Sequence, residues 1–167
     1  RLLSRGLGDV YKRQVQEGDA DRAANALPIS LSLQDAAGNE VTHATTLTSS
    51  PSISATTPTV SGASADPSEG TRKVGQSVTV TLTASESGLS KGASGSTING
   101  VDVSGSFDDS GAPQYKFEYT VQEGDADRAP NALPISLSLE DAAGNEVTHT
   151  TTLTSSPSIS ATTPTVS

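Results

Sequence analysis

Apolar and polar residues alternate over short stretches of this chain with a period of two. In Ser77-Val78-Thr79-Val80-Thr81-Leu82-Thr83-Ala84 the apolar residues share one face and the hydroxyls the other, the signature of a half-buried strand. Tyr115, Phe117, Tyr119 and Val121 repeat the pattern against Lys116, Glu118 and Thr120. Ile135, Leu137 and Leu139 alternate with Ser136 and Ser138, and residues 147–153 follow as a threonine-rich partner. Between those two runs lies Asp141-Ala142-Ala143-Gly144-Asn145. Asp opens a type I turn by accepting backbone N–H bonds, and Gly three places on tolerates the positive φ that closes a hairpin. Residues 97–103 add a further strand region, in which Asn99-Gly100 is either a tight turn or a bulge. Helix signals are close to nil, because every apolar run is short, β-branched and bounded by Gly, Pro, Ser or Asp. The pattern predicts an all-β sandwich of about seven strands.

The alternation also repeats at long range. Shifted by 106 places, residues 15–61 coincide with 121–167 at all but three of 47 positions, the exceptions being Ala24/Pro130, Gln34/Glu140 and Ala44/Thr150. A period of 106 residues suits one sandwich and is too long for a helical or propeller repeat. Upstream of Val15 the match stops abruptly, with only Ser4 and Ser110 agreeing over residues 1–14. Asp9-Val10-Tyr11-Lys12-Arg13-Gln14 can be encoded by GAT GTG TAT AAG AGA CAG, which resembles a transposon-end adapter used in sequencing libraries. Residues 1–14 are therefore read as a non-native, adapter-derived segment, with a native basic leader as the alternative. Residues 15–57 then hold the last two strands and linker of a preceding repeat, and 58–167 one complete repeat with the start of the next. An orphan two-stranded hairpin is marginal in water, so residues 15–47 are expected to lack a core of their own. Residues 45–58 and 151–164 are rich in Ser, Thr and Pro. They are read as a final edge strand running into a short linker, with an O-glycosylated stalk or disordered linker as the alternative.

Charge narrows the partners. Residues 15–167 carry six basic and eighteen acidic side chains, a net −12. Such a balance disfavours nucleic acid and anionic membrane surfaces and favours solubility or cation binding. No apolar run approaches the length of a membrane span, so no direct membrane insertion is expected. The absence of cysteine excludes disulfide staples and cysteine-ligated metal.

Candidate chemistry is sparse. Each copy of the repeat has one histidine, His43 or His149, in a run of threonines, which does not supply a zinc-binding spacing. No serine sits in a Gly-x-Ser-x-Gly elbow, and Gly92-Ala93-Ser94-Gly95 lacks the Lys-Ser/Thr of a phosphate loop. The chain is not expected to be an enzyme. In Glu123-Gly124-Asp125-Ala126-Asp127 the carboxylates occupy every second position, so in extended backbone they project to one side and offer oxygen ligands to calcium. Glu123, Asp125 and Asp127, with their equivalents Glu17, Asp19 and Asp21, are the candidate metal site. A solvated acidic loop, neutralised by Arg128, is the competing reading. Asp108 and Asp109 beside Phe107 are a weaker candidate for the same role, and Asp141 is assigned to its turn. The stripe Tyr115, Phe117, Tyr119 is assigned to the core rather than to a sugar-binding platform, since a sandwich with no Trp needs those rings inside.

Val74-Gly75-Gln76-Ser77-Val78-Thr79-Val80 followed by Thr83-Ala84-Ser85-Glu86, then Tyr119-Thr120-Val121 before Glu123-Gly124-Asp125, then Asp141-Ala142-Ala143-Gly144-Asn145 and Thr163-Pro164-Thr165-Val166, resemble in order and spacing the immunoglobulin-like tandem repeats of large bacterial surface and adhesin proteins. The resemblance covers residues 15–167. It implies an extracellular or cell-surface β-sandwich strung in arrays, with neighbouring repeats of the same chain as partners. The chain departs from the family at Ser54 and Ser160, where such linkers carry Asp after the final Ile. Near-identity of adjacent copies suits a spacer, since multiplying a length element is useful in any number. The alternative is a weak, multivalent module that binds host or surface glycans or proteins.

Overall fold

The computed structural model describes residues 13–165, and the expected adapter-derived segment lies outside them up to residue 12. Its contacts divide the chain into two compact units, Arg1–Thr56 and Thr57–Ser167.

In the first unit, strands β1 (Leu27–Gln34) and β2 (Glu40–Leu47) form an antiparallel hairpin with Leu27 opposite Leu47 and Gln34 opposite Glu40. Asp35 turns it: Oδ1 accepts from the backbone N–H groups of Ala37 (2.9 Å) and Asn39 (2.8 Å), the bonds an Asp-initiated turn requires. The hairpin is a sheet by itself, and Leu31 (55% exposed), Leu33 (64%) and Val41 (63%) face solvent.

The second unit is all-β and sandwich-like. Its strands are β3 (Val60–Asp66), β4 (Thr71–Lys73), β5 (Ser77–Ala84), β6 (Ser90–Lys91), β7 (Thr97–Ile98), β8 (Val101–Asp102), β9 (Asp108–Gly111), β10 (Gln114–Thr120), β11 (Leu133–Glu140), β12 (Glu146–Leu153) and β13 (Ser158–Ser160). One sheet has the order β3-β5-β10-β9; the other runs β12-β11-β7-β8, with β6 also beside β11. A short parallel pair, β13 with β4, sits apart from both. The two inner faces merge into one hydrophobic cluster, in which Val78, Val80 and Leu82 of the first sheet meet Leu133, Ile135 and Leu137 of the second. Burial along β5 and β10 follows the alternation in the sequence, every second residue being buried. Tyr115, Phe117 and Tyr119 lie inside, at most 1% exposed.

More strands form than the expected seven, and the reason is local. Residues 85–111 are rich in Gly and Ser, which weaken strand interiors, so this stretch breaks into four pieces of two to four residues. Within it Asn99-Gly100 is the tight turn of the β7–β8 hairpin. Both residues have positive φ, 57° and 80°, as a two-residue type I′ turn demands. Residues 151–164 finish β12, bend and continue as β13 against β4.

Candidate functional site

The acidic loop follows β10 directly. Val121 is buried and exchanges backbone bonds with Gly75 (2.9 Å) and Gln76 (3.0 Å), which anchors the loop at the Ser77 end of β5. The backbone is not extended beyond that point: residues 123 and 124 form a turn, and Gly124 has a φ of 89°. The two-residue alternation therefore fails, and the three carboxylates diverge. Asp125 turns inward, where Oδ2 accepts from the Tyr119 hydroxyl (2.8 Å) and the Gln122 N–H (2.8 Å). Asp127 Oδ1 accepts from the Ala161 N–H (2.6 Å). Glu123 accepts from the N–H of Thr163 (3.0 Å) and from its hydroxyl. Those two bonds hold the Glu123 carboxyl below its ordinary range, the hydroxyl contributing most.

Two of the three predicted ligands thus grip the outgoing chain and the third fastens the loop to the core. Among the described residues no group of three or more His, Cys, Asp or Glu is arranged to hold a metal ion. Arg128 Nε donates to Asn99 Oδ1 (2.6 Å). Asn99, 5% exposed, is the node that the sequence analysis missed. Its Nδ2 donates to the Tyr119 hydroxyl (3.1 Å) and to the Ala126 carbonyl (2.8 Å). Only the Asn-Gly turn signal marked it, and that signal speaks of backbone rather than of partners. Burial pushes the Tyr119 phenol up to about 12, with Asn99 opposing the shift and Asp125 adding to it.

Compared with known proteins, the chain matches no family model, no curated protein and no solved structure.

The grip on the outgoing chain recurs in the first unit. Asp21 Oδ1 accepts from the Ala55 N–H (2.7 Å), the Gly18 N–H donates to the Ala55 carbonyl (2.9 Å), and Arg22 bridges Ile53 as Arg128 bridges Ile159. Asp19 differs from its twin Asp125: it accepts from Gln16 N–H (3.0 Å) and pairs with Arg13, because no tyrosine lies against it. Glu17 is exposed.

The remaining candidates have local duties. Asp108 Oδ1 accepts from the Ser110 N–H (2.9 Å), and that bond lowers its pKa from the ordinary carboxylate range; Asp109 is exposed on β9. Asp141 Oδ1 accepts from Ala143 and Asn145, both at 2.8 Å, repeating the turn at Asp35. His43 is exposed, and His149 is half-buried beside a groove of about 300 Å³ that Ser64, Ser68, Thr151 and Thr152 also line. Glu146, which the alternation did not single out, accepts from the Ser94 N–H (3.0 Å) and so pins the loop before β7; its pKa is lowered by Ser94.

Proposed function

We propose that the chain is part of a non-enzymatic spacer, built of immunoglobulin-like modules repeated every 106 residues, in a bacterial cell-surface or secreted adhesin. The observation that carries this reading is how the outgoing chain is held. Val60 pairs with Ala84 at one end of β5, whereas Ala161 lies against Gly124, beside the loop anchored to Gly75 and Gln76 at the other end. The chain thus enters and leaves the second unit at opposite ends. β4 and β13 are parallel, so tension applied at Val60 and Ala161 draws them in opposite directions along a shared axis. The bonds between them lie across that pull and must yield together rather than one at a time. Asp127, Glu123 and Gly124 hold the same segment from the acidic loop.

The aromatic residues also favour a spacer over a carbohydrate-binding module. Tyr115, Phe117 and Tyr119 are buried, and Phe107, partly buried, packs against that cluster, so the aromatic stripe of β10 is core rather than a surface on which a sugar could stack. Among the described residues no helix is long and apolar enough to cross a membrane. Calcium enters this reading only as a ligand that would have to displace existing carboxylate bonds.

Stretching tandem copies of residues 58–167 in a single-molecule force experiment tests the proposal. Each module is expected to unfold in a separate force peak, and Asp127→Ala is expected to lower that force. Extension without resolvable peaks would contradict a tension-bearing role. Small-angle scattering on two intact modules is expected to show an extended particle, and a globular one would count against a spacer.

A further inference from the structure

Asn99 is followed by Gly100, and of the asparagines in the chain it alone has glycine after it. In an open chain that pair is chemically unstable. The Gly100 nitrogen, with no side chain beside it, attacks Asn99 Cγ; the new N–C bond closes a five-membered succinimide, and the Gly100 amide proton passes to solvent. The Cγ–Nδ2 bond breaks with its electron pair on nitrogen, which takes up a proton and leaves as ammonia. One water then opens the ring. Cleavage at Cγ gives aspartate, and cleavage at the main-chain carbonyl carbon gives isoaspartate, whose backbone runs through the former side chain.

The folded unit blocks the first step in two ways. Asn99 (φ 57°) and Gly100 (φ 80°) are the central residues of the β7–β8 turn. A type I′ turn sets ψ of its first central residue to about +30°, which swings the Gly100 nitrogen to the side of the Asn99 carbonyl away from Cβ, whereas ring closure needs the two side by side. The amide is also held elsewhere. Nδ2 donates to the Tyr119 hydroxyl (3.1 Å) and the Ala126 carbonyl (2.8 Å), and Oδ1 accepts from Arg128 Nε (2.6 Å). Turning Asn99 into the reactive shape breaks these bonds and the one from its N–H to the Pro134 carbonyl (2.9 Å), and it drags on Ile98, which is 0% exposed.

We infer that Asn99-Gly100 is a fold-gated modification site: it stays intact while the second unit is folded, deamidates without an enzyme when the unit is open, and its products weaken the refolded unit. The inference is independent of the spacer reading. Its last part follows from the partners. The Tyr119 hydroxyl donates its proton to Asp125 Oδ2 (2.8 Å), so both it and the Ala126 carbonyl turn lone pairs toward Asn99 Nδ2. The aspartate product sets a carboxylate oxygen against those lone pairs in place of a donor. The isoaspartate product adds a main-chain carbon to a two-residue turn whose length keeps Ile98 opposite Val101. A unit held open long enough is thereby marked and weakened for good.

The test is incubation of the full chain in mildly alkaline buffer with and without guanidinium, with residue 99 followed by peptide mass spectrometry. Conversion in the folded chain is expected to be at least about a hundredfold slower than in the denatured chain, because a folded domain is open about one part in a thousand or less of the time. Chain converted in denaturant and returned to buffer is expected to unfold at a lower urea midpoint than chain denatured only briefly. Asn99→Asp, which needs no incubation, is expected to lower the midpoint or abolish the transition. A smaller ratio of rates, a converted chain with an unchanged midpoint, or an unchanged midpoint in Asn99→Asp would each overturn the inference.

Discussion

Leu31 and Leu137 form an experiment already built into the chain, since they hold equivalent places in matching hairpins and differ in what lies above them. Leu137 is 0% exposed in the central cluster and Leu31 is 55% exposed. Truncation to alanine removes the same atoms from each. At Leu137 the loss combines the transfer free energy of the missing carbons with the cavity left among neighbours that only partly relax, about 2–5 kcal/mol. At Leu31 no cavity forms, and the change should lie within about 0.5 kcal/mol. Against a total stability of about 5–15 kcal/mol, Leu137→Ala weakens the second unit heavily while leaving a folded population to measure. Urea unfolding followed through Tyr115 and Tyr119, both buried in that unit, is the assay. With a slope of about 1–3 kcal/mol per molar urea, a loss near 3 kcal/mol moves the midpoint down by about 1–3 M. Leu31→Ala should leave that transition where it was. Equal shifts in the two variants would refute the claim that burial of this face depends on residues 60–121.

Three further outcomes are expected. Gly92→Ala places a Cβ 2.6 Å from both Ser138 Cβ and Glu146 Oε1, and overpacking of that kind costs about 1–3 kcal/mol, measurable as a lower urea midpoint. Stability should fall at both extremes of pH. The lowered carboxyls of Glu123, Asp102, Asp108 and Glu146 contribute stability that is present above their ordinary values and is lost as pH drops through the folded ones; Glu146→Gln should flatten the acid limb. Tyr119, raised from 10.0 to about 12, favours the neutral phenol when folded, so its contribution is whole below pH 10 and fades as pH climbs toward 12; Tyr119→Phe should flatten the alkaline limb in melts across that window. Millimolar calcium should leave the melting temperature unchanged, since the carboxylates of the loop already accept protein hydrogen bonds; a clear rise would mean that the loop reorganises around the ion.

Strand positions are legible in the sequence because a half-buried strand must alternate, and the residues of β5, β10 and β11 do so without interruption. The Asp35 and Asp141 turns were equally plain, since the Asp carboxylate and the following N–H groups are separated by only a few bonds of chain. The acidic loop was misjudged at the level of direction. Alternation predicts a shared face only in extended backbone, and the turn at residues 123 and 124 sends Glu123 and Asp127 to the outgoing chain and Asp125 to Tyr119. Asn99 and Glu146 could not be found by pattern, because their partners lie 20 to 52 residues away along the chain.

By itself the sequence determined local matters: which residues extend, which face of each strand is apolar, where the hairpins turn, and that one stretch is written twice. Tertiary structure alone decided whether an apolar face becomes a core. Leu31 and Leu137 share nearly all their neighbours along the chain yet end in solvent and in the interior, because burial needs an opposing sheet and, among the described residues, only one of the two hairpins has one. Backbone hydrogen bonding and side-chain alternation act over a few residues, whereas removal from water depends on what arrives from elsewhere.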